Sequence, residues 1–130
     1  MILLDTHVVV WLALDPARIS QKAAITIEEE RKRGESLAIC DITLMEVATL
    51  QSKGRINLSV GLESFLQDIE SRFTVLSITG RACARAVALP KTYPKDPADR
   101  IIGATALVEG MPLITADRHI LRSGALPTIW

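Results

Sequence analysis

Four acids stand in sequence contexts that suit chemistry: Asp5 in LLDTH, Glu46 in TLMEVATL, Asp99 in DPADRIIGATA and Asp117 in LITAD, with Asp41 and Asp96 close by. Taken singly, each has a plain explanation. Asp5, Asp99 and Asp117 lie near helix starts, where a carboxylate accepts amide hydrogen bonds and favours the positive end of the helix dipole. Glu46 alone reads as an exposed helix residue. Jointly they say more. Carboxylates gathered at one edge repel one another and their pKa values rise. A hard divalent cation relieves that repulsion, and an oxygen-only donor set suits Mg2+ or Mn2+ better than zinc. Such a pocket does phosphoryl chemistry, acidifying a water and stabilising the departing oxygen. The residues alone leave open whether the substrate is a phosphodiester, as for a nuclease, or a phosphomonoester, as for a phosphatase.

Other chemistries lack their residues. His7 and His119 have no partner at metal-ligand spacing, and Cys40 and Cys83 read as buried small hydrophobes rather than a disulfide framework. No GxGxxG or GxxxxGK[ST] string offers a phosphate cradle. Fifteen Lys and Arg balance fifteen Asp and Glu, so bulk charge does not draw a polyanion to the surface. A nucleic-acid substrate would need local basic residues or a metal.

The elements that must position these acids follow from periodicity and punctuation. At 130 residues, with 48% hydrophobic and 23% charged, the chain reads as one domain over residues 1–130. Buried strands are predicted at 2–4, 36–40, 73–78 and 112–115, with a fifth possible in LPTIW. Helices are predicted for THVVVWLAL (capped by Asp5 or Thr6), for 20–33 (capped by Ser20 and stopped at Gly34), and for 43–53, 62–72, 81–89, 98–109 and 117–122. The basic triplet Arg31, Lys32 and Arg33 reads as a solvated helix end. Strands that alternate with helices and run apolar imply a three-layer α/β/α sandwich around a mostly parallel four- or five-stranded sheet. Ligands of such sheets sit beyond the carboxyl ends of the strands, where Asp5 and Asp117 fall.

The run Val8 to Leu14 is too short for a membrane span, and the amino terminus has no basic segment before it, so no membrane role and a cytoplasmic location are expected. Val8, Val9, Val10, Trp11 and Leu12 together offer more apolar surface than one sheet face takes up. This predicts a homodimer.

LLDTHVVVW, TLMEVATLQSKG, DPADRIIGATAL and LITAD, in that order across the chain, resemble the PIN-domain ribonucleases, and among them the VapC-type toxins of prokaryotic toxin–antitoxin pairs. The resemblance implies a PIN-like α/β/α domain, dependence on Mg2+ or Mn2+, endonucleolytic cleavage of RNA, and an antitoxin protein as partner. Such an antitoxin would cover helices near the acidic edge, with an arginine competing for the carboxylates. By motif position the resemblance implies that Asp5, Glu46, Asp99 and Asp117 are catalytic and metal-binding, and that Thr115 orients the attacking water. Thr6, Asp96, Arg100 and Arg118 are secondary candidates; each arginine reads either as a salt-bridged helix residue or as a phosphate contact. The chain departs from the commoner pattern at Ala98, where Phe is more usual, at Gly103, where Ala is, and in the loop TYPKDP, which lacks a histidine. Two rivals remain. A phosphatase or phospho-acceptor domain would be expected to carry a DxD string, which Thr6 and His7 interrupt after Asp5. A non-catalytic binding module would use the acids only as caps.

Overall fold

A computed structural model describes all 130 residues, Met1–Trp130. Five strands form one parallel sheet in the order β3-β2-β1-β4-β5: β1 (Ile2–Leu4), β2 (Leu37–Cys40), β3 (Thr74–Leu76), β4 (Leu113–Ile114) and β5 (Thr128–Ile129). Seven helices join them: α1 (Thr6–Leu14), α2 (Gln21–Lys32), α3 (Asp41–Ser52), α4 (Leu62–Arg72), α5 (Gly80–Ala88), α6 (Pro97–Glu109) and α7 (Arg118–Ser123).

Strand alternation divides the core in two. Ile2, Leu4, Leu37, Ile39 and Ile114 face one side and pack with Val8, Val9 and Val10 of α1, Ile27 of α2, Val47 of α3, and Phe65 and Ile69 of α4. Leu3, Ala38, Cys40 and Leu113 face the other and pack with Ile102 and Ala106 of α6, Ile120 of α7 and the loop residue Tyr93. Both faces of the central strands are therefore dry, which is why they read as unbroken apolar runs. β3 differs. It is an edge strand with Thr74 exposed, and only three residues of the predicted 73–78 pair. Helix α3 begins at Asp41, two residues before its predicted start, with Asp41 in the first turn where its charge favours the helix dipole.

The chain steps outward from β1 through β2 to β3, then returns to the opposite side of β1 for β4 and β5. The carboxyl ends of β1 and β4 thus flank the crevice where strand order reverses, the usual ligand position in such sheets.

Much of the apolar run from which a homodimer is expected is buried within the chain. Val8, Val9 and Val10 are all buried, the most exposed of them at 5%, while Leu12 packs against the same core. Helix α1 is short and packs against the sheet, so three consecutive valines all find cover, while Trp11 and Leu12 stay partly exposed and Leu14 is 41% exposed. No helix is long and apolar enough to cross a membrane.

Candidate metal centre

Each acid reaches the crevice from a different element. Asp5 follows β1 and caps α1: its Oδ1 accepts the Thr6 amide at 2.8 Å, and its Oδ2 accepts the Thr115 hydroxyl at 2.7 Å. Asp117 caps α7, with Oδ1 accepting the amides of His119 at 2.8 Å and Ile120 at 3.1 Å. Its Oδ2 has no protein partner. Glu46 comes from the second turn of α3, held by the buried Thr6 hydroxyl, which also lies 3.1 Å from that of Thr43. Asp96 caps α6 through the Asp99 amide at 3.1 Å, and Asp99 stands in that helix's first turn. The capping expected of isolated carboxylates is therefore real for Asp5 and Asp117, whereas at α6 the cap is Asp96 and not Asp99.

These five carboxylates line a single cavity of about 380 Å3, completed by His7, Trp11 and Ala116. No lysine or arginine lines it. Carboxylate oxygens of Glu46, Asp96 and Asp99 lie within 4.8 Å of one another. The electrostatic consequence is plain. Asp99 is pushed up to about 7, first by burial and then by the charges of Asp5, Asp96, Glu46 and Asp117. Burial also raises Glu46, against the opposing hydrogen bond from Thr6. Asp5 is raised by burial too, although Thr115 and Thr6 both stabilise its ionised form. An oxygen-only donor set, crowded and without internal counter-charge, fits a hard divalent cation.

All four acids predicted as principal are brought together, and the secondary candidates divide. Asp96 joins the tightest cluster. Thr6 and Thr115 are buried and hold Glu46 and Asp5 respectively. The Thr115 hydroxyl donates to Asp5 and accepts the Asp117 amide at 3.1 Å, so it ties the Asp5 carboxylate to the start of the Asp117 cap. Arg100 forms no salt bridge: its guanidinium donates to the carbonyls of Ala86, Leu89, Pro90 and Tyr93 at 3.0–3.4 Å, closing the end of α5 and the loop after it. Arg118 is exposed, forms no salt bridge and does not line the cavity. Asp41 turns away, accepting the Ile78 amide at 3.1 Å. Of the basic triplet, Arg33 pairs with Glu30.

Tyr93 went unnoticed in the sequence. It is almost wholly buried, donates its hydroxyl to the Asp99 carbonyl at 2.8 Å, and lies over Gly103. A Cβ at Gly103 would fall 2.3 Å from the tyrosine oxygen. The glycine that departs from the commoner pattern is thus the seat of the ring that ties the Asp96 loop to α6. A lone tyrosine between prolines, followed by a mid-helix glycine, was the available signal.

A profile of the PIN domain matches residues 2–125. The chain is 40% identical over 132 residues to ribonuclease VapC22 of Mycobacterium tuberculosis (strain ATCC 25618 / H37Rv), covering 99% of this chain and 98% of that protein. Its fold is similar to a toxin–antitoxin complex from Klebsiella pneumoniae (TM-score 0.67, 26% identity, 93% of this chain and 90% of that one). It is also similar to VapBC2 from Rickettsia felis bound to a DNA fragment from its promoter (TM-score 0.71, 20% identity, 98% and 97%).

Proposed function

This chain belongs to the PIN-domain family, and from that premise we propose that it is a metal-dependent endoribonuclease, the toxin of a toxin–antitoxin pair. The observation that carries the reading is the single cavity lined by five carboxylates and no lysine or arginine. Asp5, Glu46, Asp99 and Asp117, joined by Asp96, would hold Mg2+ or Mn2+. When bound, the ion acidifies water and neutralises charge on the phosphodiester. The protein's own part is positioning. Thr6 fixes Glu46, Thr115 fixes Asp5, and the caps of α6 and α7 fix Asp96 and Asp117 before substrate arrives. Such preorganisation spares the reorganisation that a mobile set of charges would require. We propose the cytoplasm, where RNA substrate is made and translated, as the site of this activity.

The named relatives support an antitoxin protein as partner, since the Klebsiella structure is a toxin–antitoxin complex. The homodimer we propose pairs through α5, where Val87 is 84% exposed beside a groove lined by Arg81, Ala84, Arg85, Ala88, Leu107 and Val108.

The test is incubation of the purified protein with total cellular RNA, with Mn2+, with Mg2+ and with EDTA, followed by mapping of new ends. Discrete ends that need the metal and vanish in Glu46→Gln are expected. Intact RNA under every condition overturns the reading.

A further inference from the structure

A second cavity, about 410 Å3, adjoins the acidic one and shares His7 and Trp11 with it. Its polar lining is of opposite sign: Arg18, Arg55 and Asn57, against the one carboxylate of Asp15. Arg18 lies over the Trp11 ring, 4.7 Å from its centroid. A guanidinium stacked on an aromatic face keeps its in-plane N–H donors free, in the fork geometry that matches a phosphate. Neither Arg18 nor Arg55 forms a salt bridge or donates a side-chain hydrogen bond within the protein, whereas Arg100 is fully engaged with carbonyls. Trp11 is only half-buried, and its ring is tilted against those of His7 at 6.0 Å and Trp130 at 5.9 Å. The chain has no net charge to hold a polyanion, and the acidic cavity repels one. A cationic, aromatic groove continuous with that cavity answers both problems.

We propose that this groove is the subsite for the nucleotide flanking the scissile phosphodiester of single-stranded RNA. Arg18 and Arg55 hold its phosphate, and the aromatic edge of His7 and Trp11 takes its unpaired base. The proposal rests on the endoribonuclease reading and adds to it where the strand lies. It excludes paired RNA, whose stacked bases present no free face to a ring.

The test is binding of a short fluorescein-labelled single-stranded RNA in EDTA, where no cleavage occurs, read by anisotropy between about 50 and about 200 mM salt. Arg18→Ala/Arg55→Ala should weaken binding by about tenfold for each arginine removed. It should also flatten the log–log salt dependence by about 0.7 for each lost phosphate contact. Both side chains are exposed, so the melting temperature should hold. Arg18→Lys should recover the salt slope but not the affinity, because a lysine keeps the charge without the stacked fork. In a Trp130→Phe background, RNA should quench Trp11 fluorescence. No binding by the unaltered protein, or binding and slope unchanged in the double variant, overturns the subsite and leaves the groove to a protein partner. Failure of the unaltered protein to cleave cellular RNA with Mn2+ would instead overturn the endoribonuclease reading.

Discussion

Asp99 holds a proton near neutrality because it is partly buried among four other carboxylates. Its folded pKa, about 7, lies above its unfolded value of 3.8. The folded state therefore binds the extra proton, and ionised Asp99 opposes folding. That penalty is absent below about pH 4, grows as pH rises towards 7, and is complete above it. Asp99→Asn removes the charge and keeps the Tyr93 hydrogen bond, which goes to the Asp99 backbone carbonyl. Allowing for solvent screening of a partly exposed group, about 1 kcal/mol should be relieved in EDTA at pH 8, raising the melting temperature by about 4 °C. At pH 5 the gain should shrink. Asp5→Asn should gain less, because Asp5 also caps α1 and accepts from Thr115. Thermal melts of both variants at the two pH values check this; equal melting of Asp99→Asn and the unaltered protein at pH 8 would contradict the crowding account.

Among the elements, α6 and the loop before it carry two of the five acids and meet closely where Tyr93 lies over Gly103. Gly103→Ala would drive a methyl into the buried Tyr93 ring. It should destabilise the fold by about 1–3 kcal/mol and weaken Mn2+ binding by displacing Asp96 and Asp99. Tyr93→Phe should cost about 1 kcal/mol through the lost hydrogen bond. Urea unfolding of the two single variants and the double variant measures the coupling, and strict additivity would mean that the ring and Gly103 do not interact. Most elements were legible because their signals are local: Ser20 and Asp117 at helix starts, Gly34 with positive φ at the end of α2, and apolar runs at β1 and β2. Asp5, Asp99 and Asp117 sit at or beside such junctions, whereas Glu46 lies inside α3 and was singled out only through the joint pattern and the family resemblance. What was not legible depends on partners distant in sequence. The burial of Tyr93, the carbonyls held by Arg100, and the Thr115 to Asp5 bond across 110 positions leave no periodic trace.

For the whole molecule, the most exposed large apolar side chain is Val87 of α5, at 84%. If α5 supplies the dimer interface, Val87→Glu should convert a dimer to a monomer in light scattering at micromolar concentration without changing the melting temperature. A dimer that survives the substitution would place the interface elsewhere.

The central claim is that the carboxylates at the β1 and β4 ends form a metal centre and are not merely helix caps. Calorimetric titration of Mn2+ at pH 8 into the unaltered protein and into Asp99→Asn tests it most directly. Saturable binding by the unaltered protein, tightening from pH 6 to pH 8 as Asp99 ionises and weakened at least about tenfold in the variant, is the predicted result. No binding heat, or equal affinity in both proteins, would contradict it.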